Sequence, residues 1–234
     1  MIVRAIKTRV FLEGENVHHF IAEHVRLLHE RSILVVTSKI VALAEGRTAT
    51  PASEEEKAAL IRSESSLAIP TTYCWLTVRD GMVMPSAGVD ESNGNGKTIL
   101  LPRDSYVAAS ALRETLLKTC KLRHLGVLVT DSRTLPLRAG VTGVAMGYAG
   151  FRGIRDYRGK PDIFGRLLRM SRTNVADSLA AAAVLLMGEG AEQQPLAIVE
   201  DAPVEFSDIV DRGELAIDIR DDMYRPLFTN IAHS

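Results

Sequence analysis

The sequence predicts a mixed α/β fold in a single domain over residues 1–234, with residues 201–234 as a separate packing or dimerisation segment. Short apolar runs rich in β-branched residues alternate along the chain with longer segments of helical spacing. A chain of 234 residues that is 46% hydrophobic can bury a sizeable core without disulfides. We find no fixed-period repeat and no low-complexity linker that would separate domains.

The amino-terminal elements are predicted to be a strand, a helix and a second strand. Residues 2–12 are apolar and β-branched, and the turn-forming residues 13–16 follow them. Apolar residues then recur at spacings of three and four, which predicts a helix from Val17 to a charged end near residues 29–31. The run SILVVT predicts a buried strand that stops at Ser38 and Lys39.

The remaining elements continue this alternation. The polar residues 48–62 predict a solvated loop and helix, and residues 105–125 have the composition of a long helix. Residues 126–130 predict a short central strand with Asp131 just past its end. A second long helix is predicted to begin near Thr173 and Asn174 and to stop at Gly188, before a return strand at residues 196–199.

Composition excludes several classes of function. The formal charge of −1 provides no basic field for nucleic acid or an anionic membrane, so neither is an expected partner. No run approaches the roughly 20 apolar residues that cross a bilayer, and the amino terminus is charged too early for a signal peptide. Two distant cysteines and unclustered histidines argue against disulfides and zinc. We expect a cytoplasmic protein.

The segment GNGKT at residues 94–98 resembles the end of a phosphate-binding P-loop. The full motif requires a glycine five positions before Gly96, where this chain has Glu91. It also requires a preceding strand that delivers the loop onto a helix. A flexible, glycine-rich loop over a site is therefore the better interpretation.

Two acidic residues are candidates for binding a hard cation. Asp90 lies among Glu91, Ser92 and Asn93, whose oxygen-bearing side chains suit Mg²⁺ or Mn²⁺ but are also common turn formers. Asp131 follows an apolar strand, where α/β proteins present ligand contacts, although a capping role is an alternative. From the residues alone, both interpretations stay open for each aspartate.

Cationic side chains could contact phosphate or carboxylate groups. Ser38 and Lys39 follow a strand, so a hydroxyl and an ammonium could meet phosphate oxygens, or they could form an ordinary surface pair. Arg138 belongs to a group of arginines in the middle of the chain whose guanidinium groups suit the same anions.

Seven segments in order resemble the coenzyme F420-0: L-glutamate ligase family. They are TSKIVALAEGR, SAGVDESN, LLPRDSYVAASALRE, GVLVTDS, PLRAGVTGVAMGYAG, DYRGKPDIFGR and NVADSLAAAAVLLMGEG. The resemblance spans about residues 1–200 and implies an enzyme that joins glutamate by an amide bond to the lactyl carboxylate of a deazaflavin precursor. It further implies GTP, or ATP, as co-substrate, Mg²⁺ or Mn²⁺ as cofactor, and an intertwined α/β homodimer.

The same resemblance assigns roles to residues of this chain. It implies metal ligands at Asp90, Asp131, Ser132 and Glu189. It implies nucleotide contacts at Ser38, Lys39, Asn93, Gly188 and Gly190. Catalytic roles fall to Asp90, Asp131, Lys39 and Arg138.

The chain also departs from the family pattern. Leu43 stands where many members have a lysine, and Ser132, Thr134 and Leu137 replace a threonine, a glycine and an aromatic residue. These changes leave F420-0 or a folate-type compound as the acceptor, and the choice between GTP and ATP open. The alternative function is a nucleotide- or metabolite-binding protein of this fold without ligase activity.

Overall fold

The computed structural model describes residues 1–226, and its alternating helices and strands confirm the mixed α/β prediction. The strands are Ile2–Ile6 (β1), Ser32–Thr37 (β2), Thr48–Ala49 (β3), Leu67–Pro70 (β4), Trp75–Arg79 (β5), Met82–Pro85 (β6), Thr98–Ile99 (β7), Leu125–Thr134 (β8), Val141–Ala149 (β9), Ile154–Asp156 (β10), Arg172–Asn174 (β11) and Leu196–Glu200 (β12). The helices are Val17–His24 (α1), Ser38–Ala44 (α2), Glu54–Ser63 (α3), Ser105–Cys120 (α4) and Val175–Met187 (α5).

The central sheet has the strand order β1-β12-β2-β8-β9. Strands β2 and β8 pair in parallel, and the other neighbours pair antiparallel. The apolar run of β2 is buried on both faces, as expected for a strand covered by helices. One face packs against α1, α2 and α4, and the other packs against α5. The sheet therefore lies between two helical layers.

Three smaller sheets surround this core. Strands β4, β5 and β6 form an antiparallel sheet, β10 pairs with β11, and β3 pairs with β7. Strand β6 packs next to β8. The Arg133 guanidinium on β8 donates to the backbone oxygen of Val83 on β6 at 3.4 Å. These short strands were not predicted, and the β4-β5-β6 sheet brings a second wall to one end of β8.

Two predicted boundaries are wrong at the amino terminus. The predicted strand over residues 2–12 ends at Ile6, because its partner β12 begins at Leu196, which pairs with Ile6. The helix predicted to reach residues 29–31 ends at His24, and Val25 has an extended backbone. Leu28 still packs into the core from this non-helical segment, so its helix-like spacing reflects burial alone.

A third correction concerns Asp131, which was expected just past its strand. Strand β8 continues to Thr134 because β9 pairs with it as far as Val141. Asp131 therefore lies inside the strand, opposite Val144. The buried strand β2 ends at Thr37 as predicted, and α2 begins at once with Ser38.

Residues 201–226 pack back on the same chain. Glu214 accepts hydrogen bonds from the Tyr148 hydroxyl and the Gly153 N–H, each at 2.6 Å. Phe206 forms a backbone bridge with Phe151. The division into one domain with a separate segment at 201–234 stays a prediction, and residues 227–234 of that segment lie outside the described residues. None of the helices in the described part is both long and apolar enough to cross a membrane.

Candidate active site

Lys39 and Asp90 form an ion pair at the end of β2. Lys39 is the second residue of α2, and its Nζ lies 2.6 Å from Asp90 Oδ2. Ser92 joins both: its Oγ accepts from Lys39 Nζ and donates to Asp90 Oδ2, each at 2.7 Å, while its N–H donates to Asp90 Oδ1 at 2.8 Å. Burial opposes ionisation of Asp90, but these hydrogen bonds from Lys39 and Ser92 outweigh it and lower the pKa of its carboxyl.

A tight turn delivers Asp90 to this position. Ser86, Ala87 and Gly88 all have positive φ, and a Cβ at Gly88 would lie 2.5 Å from the Leu101 side chain. The backbone of Asp90 then exchanges two hydrogen bonds with Ile99, at 2.7 and 3.0 Å. The loop between them is therefore closed at its base. It leads into a strand, β7, which confirms that residues 94–98 are not a P-loop.

Asp131 lies on the same side of the sheet as this pair. Val127 and Val129 of β8 pack on the face that carries α2, and alternation along the strand places Asp131 on that face too. Its carboxylate accepts one hydrogen bond, from the Ser132 N–H at 2.9 Å. Burial raises the pKa of Asp131, which Asp90 raises further, whereas the cations Arg133 and Lys39 act to lower it. The charges of Lys39 and Asp90 therefore act on the Asp131 carboxyl.

Arg133 is a buried cation two residues farther along the same face. Only 4% of it is exposed. Its Nη2 meets Met146 Sδ at 3.0 Å, its Nη1 meets a backbone oxygen at 3.4 Å, and its Nε has no acceptor. Within residues 1–226, no carboxylate forms an ion pair with it. The sequence analysis placed Arg133 in the group of arginines suited to phosphate or carboxylate but did not predict its burial, although its alternation with Asp131 is a signal that could have done so.

Ser132 and Glu189 form a separate pair near the carboxyl-terminal end of α5. Alternation turns Ser132 to the opposite face from Asp131, and Ser132 Oγ donates to Glu189 Oε2 at 3.0 Å. Glu189 follows Gly188, which ends α5 with a φ of 81° and where a Cβ would lie 2.4 Å from Glu192 Cδ. The Gly190 N–H donates to Glu192 at 2.7 Å. The two glycines therefore shape the turn that presents Glu189.

The other predicted residues are distributed around these groups. Ser38 is buried at the start of α2, and Asn93 is exposed in the loop after Asp90 with a φ of 57°. Arg138 is exposed in the β8-β9 connection. In the described part of the chain, no hydrogen bond or ion pair joins Asn93 or Arg138 to Asp90 or Asp131. Leu43 packs against the core from α2.

The structure does not gather the predicted acidic metal ligands into one cluster. Over residues 1–226, no three His, Cys, Asp or Glu residues lie close enough together to hold a metal ion. Asp90 and Asp131 offer carboxylate oxygens on one face, while Glu189 is paired with Ser132 on the other. The four-residue metal site stays a prediction. Asp90 and Asp131 supply to it the carboxylate oxygens that hard cations prefer.

Comparison with known proteins matches the chain to one protein family along most of its length. The sequence model of the family described as F420-0:Gamma-glutamyl ligase matches residues 5–201. The coenzyme F420:L-glutamate ligase of Methanosarcina acetivorans is 33% identical over 212 residues, which cover 82% of this chain and 82% of that protein. The enzyme of the same name from Halorubrum lacusprofundi is 33% identical over 220 residues, or 84% of each chain.

A shorter match covers less of its relative. The coenzyme F420:L-glutamate ligase of Methanococcus maripaludis strain C7 is 34% identical over 149 residues, which are 64% of this chain and 60% of that protein. The family model, in contrast, covers most of the chain, including Lys39, Asp90, Asp131 and Glu189. The chain belongs to the F420-0:gamma-glutamyl ligase family.

Proposed function

We propose that the protein is a nucleoside-triphosphate- and divalent-metal-dependent ligase that joins L-glutamate by an amide bond to a carboxylate acceptor. The acceptor is F420-0 or a folate-type compound, and the nucleotide is GTP or ATP. The family and the names of the relatives support glutamate ligation in F420 biosynthesis. The observation that carries the proposal is the Lys39–Asp90 ion pair together with the half-buried carboxylate of Asp131, whose pKa is affected by both charges.

Asp90 and Asp131 would hold Mg²⁺ or Mn²⁺ on one face of the sheet. Mg²⁺ in phosphoryl-transfer sites is usually bound through one or two carboxylates, with substrate phosphates and water completing its coordination. A site with two carboxylates is therefore compatible with the separation of Glu189 from this pair. When bound, the metal neutralises charge on the transferred phosphoryl group.

The reaction requires two steps, because a carboxylate oxygen is a poor leaving group. An acceptor carboxylate oxygen attacks the γ-phosphorus, the bond from phosphorus to the β,γ-bridging oxygen breaks, and the nucleoside diphosphate leaves. The glutamate amine then attacks the acyl carbon of the acyl phosphate, inorganic phosphate leaves, and the nitrogen loses a proton. In this scheme the Lys39 ammonium and the Arg138 guanidinium align anionic groups that would otherwise repel each other. Ser38, Asn93, Gly188 and Gly190 are the proposed nucleotide contacts.

A homodimer is part of the same proposal. The arm that joins β10 to β11 exposes large apolar side chains, with Ile163 91% and Phe164 88% accessible. An apolar patch of this kind is typical of a protein interface. We expect the protein to be dimeric by light scattering, and Phe164→Asp to shift it towards monomer, whereas Leu27→Asp on another exposed surface should not. A monomeric unsubstituted protein would contradict this assignment.

The ligase proposal is tested by mass spectrometry of products. The protein is incubated with L-glutamate, Mn²⁺, GTP or ATP, and a panel of F420-0 and folate-type acceptors. We expect one acceptor to gain the mass of a glutamyl residue, with one nucleoside diphosphate and one phosphate released for each amide formed. Tight nucleotide binding without product from any acceptor would reject the ligase and favour the binding-protein alternative.

A further inference from the structure

Arg133 carries a buried charge that the chemistry proposed above does not use. Its side chain lies between β6 and β8, where Nη1 donates to the Val83 oxygen at 3.4 Å and Nη2 meets Met146 Sδ at 3.0 Å. A thioether sulfur is a weak acceptor, and the Nε–H of Arg133 has no acceptor among the described residues. Burying a charge with so few hydrogen bonds costs stability. Arg133 is therefore a candidate for a functional role.

The charge of Arg133 lies close to Asp131. Both residues belong to β8, and side chains two residues apart on a strand point to the same face, with Cα atoms about 7 Å apart. Burial lowers the pKa of the Arg133 guanidinium, and among the carboxylates around it Asp131 acts most strongly to raise that pKa. The Asp131 carboxylate accepts its hydrogen bond from the Ser132 N–H instead. Arg133 therefore acts on Asp131 through space.

The side-chain charges of the proposed cation site balance before any ligand arrives. When both carboxylates are ionised, Lys39 offsets Asp90, with which it pairs at 2.6 Å, and Arg133 offsets Asp131. A divalent cation that entered alone would leave a double positive charge without compensation in a partly buried site, where charges are weakly screened. Over residues 1–226, no third acidic, histidine or cysteine ligand lies close enough to complete a metal site. The protein alone is therefore a poor receptor for a free divalent cation.

A cation that is already bound to a nucleoside triphosphate has the opposite net charge. The phosphate groups carry more negative charge than one divalent cation neutralises, so the complex is an anion. Its phosphate oxygens also supply the metal ligands that the protein lacks. The same buried charge of Arg133 thus repels the free cation and attracts the complex.

We propose that Arg133 is a positioning residue whose charge makes the site select a divalent cation already bound to the nucleotide over the free cation. Arg133 acts through its charge, because its burial keeps it from direct contact with a ligand. This inference rests on the proposed function, which places the metal at Asp90 and Asp131 and the phosphates at Lys39. It implies an order of binding in which cation and triphosphate enter the site together.

Calorimetry on the full-length protein tests this selection with Arg133→Met, which removes the charge and keeps an apolar side chain. The ligands are Mn²⁺ alone and the preformed complexes of Mn²⁺ with GTP and with ATP, without glutamate or acceptor. We expect Arg133→Met to bind Mn²⁺ alone roughly tenfold more tightly than the unsubstituted protein and at least one complex roughly tenfold more weakly, because one charge acts with opposite sign on a cation and an anion. Shifts of the same sign, or an unchanged affinity for Mn²⁺ alone, would overturn the proposal.

Two further variants separate the charge of Arg133 from its packing. Arg133→Lys keeps the charge, so both affinities should stay close to those of the unsubstituted protein. Arg113→Met is the matched control for loss of one arginine. Arg113 donates to the Leu125 oxygen at 2.7 Å, about 20 Å along β8 from Asp131 and well beyond the Debye length, so both affinities should again be unchanged. If Arg133→Lys or Arg113→Met behaves like Arg133→Met, the local charge of Arg133 is not the cause.

Product analysis separates this inference from the ligase proposal. If the unsubstituted protein makes amide product and Arg133→Met leaves the affinity for Mn²⁺ alone unchanged, only the role of Arg133 is rejected. If Arg133→Met shifts the two affinities in opposite directions and no acceptor gives product, the selection by Arg133 is supported and the ligase is rejected. If the unsubstituted protein and Arg133→Met bind Mn²⁺ in neither form, the selection by Arg133 is rejected whether or not product is made.

Discussion

Asp90 and Asp131 have the same carboxylate group, but the protein surrounds them in opposite ways. Asp90 accepts three contacts from Lys39 and Ser92, and these lower the pKa of its carboxyl despite partial burial. Asp131 accepts a single hydrogen bond from the adjacent backbone, and its burial raises the pKa of its carboxyl. One carboxylate is stabilised in its ionised form by the fold, and the other is not.

Because of this difference, Asp90 and Asp131 would contribute to a cation site in different ways. Asp90 is ionised and oriented before any ligand arrives, so its position is preorganised. Asp131 is half-buried and has no ion-pair partner in the described part of the chain, so a positive charge that arrives next to it removes an existing electrostatic cost. The comparison predicts that Asp131 contributes more to metal binding and Asp90 more to the stability of the apo protein.

Asp131→Asn should have the largest effect on activity. It removes the charge that the bound cation would neutralise, so we expect turnover to fall at least about a hundredfold. The shape of the side chain is kept, and thermal melting should show an intact fold. The exposed Asp201→Asn is the control for loss of one carboxylate. Full activity in Asp131→Asn would show that the metal assignment is wrong.

Lys39→Met should have the next largest effect on activity. It removes the ammonium that pairs with Asp90 and would align phosphate oxygens, so we expect turnover to fall about 10- to 100-fold. The pair is partly exposed, so the free energy of unfolding in urea should change by less than about 1 kcal/mol. Lys118→Met breaks the exposed pair with Glu114 and should change neither quantity. If both variants behave alike, Lys39 has no special role.

Part of this site follows from the sequence because of strand pairing. Ser38, Lys39 and Asp131 follow or continue the neighbouring parallel strands β2 and β8, in which Thr37 pairs with Thr130. Apolar runs predicted both strands and the polar residues at their ends, but that the two strands are neighbours is known only from the structure. Asp90 lies on a separate loop, and only the family resemblance indicated that it belongs with them.

The environment of Arg133 was beyond sequence reasoning for a physical reason. Arginine is usually exposed, and its burial here depends on β6 packing against β8 and on contact with Met146. Strand β6 is short and partly exposed, so its apolar pattern is weak. The long helices α4 and α5 and the buried strand β2 were predicted because each buries a face that its own sequence defines.

Arg133→Met extends the comparison from carboxylates to cations. Arg133 has no ion pair in the described part of the chain, whereas Arg79, which is also buried, meets Glu64 at 2.5 Å. Replacing an unpaired buried cation with an apolar side chain should leave the free energy of unfolding within about 1 kcal/mol or raise it. Arg79→Met removes one of the two arginines that pair with Glu64, the other being Arg47 at 2.5 Å, and should cost about 1–3 kcal/mol. Similar losses in the two variants, by urea denaturation, would mean that Arg133 has a structural partner.

The smallest expected effect is the most direct test of the comparison, and it is measured on metal-free protein in a chelator. The folded-state pKa of Asp90 is below its ordinary value of 3.8, so its ionised form contributes stability above that value and the contribution is lost as the pH falls through the lowered pKa. The folded-state pKa of Asp131 is raised, so ionisation costs stability above that raised pKa and nothing below 3.8.

Asp90→Asn should therefore lower the melting temperature near neutral pH, and Asp131→Asn should raise it. The Asp131→Asn difference should shrink as the pH falls from about 8 towards about 4, whereas the Asp90→Asn difference should persist to about pH 4 and shrink only below it, because protonation makes each carboxyl resemble its amide replacement. Shifts of the same sign near neutral pH would mean that the two carboxylates share one environment. Melting-temperature differences of opposite sign near neutral pH that disappear at low pH would show that Asp90 carries the preorganised charge and that Asp131 carries the charge that depends on a bound cation.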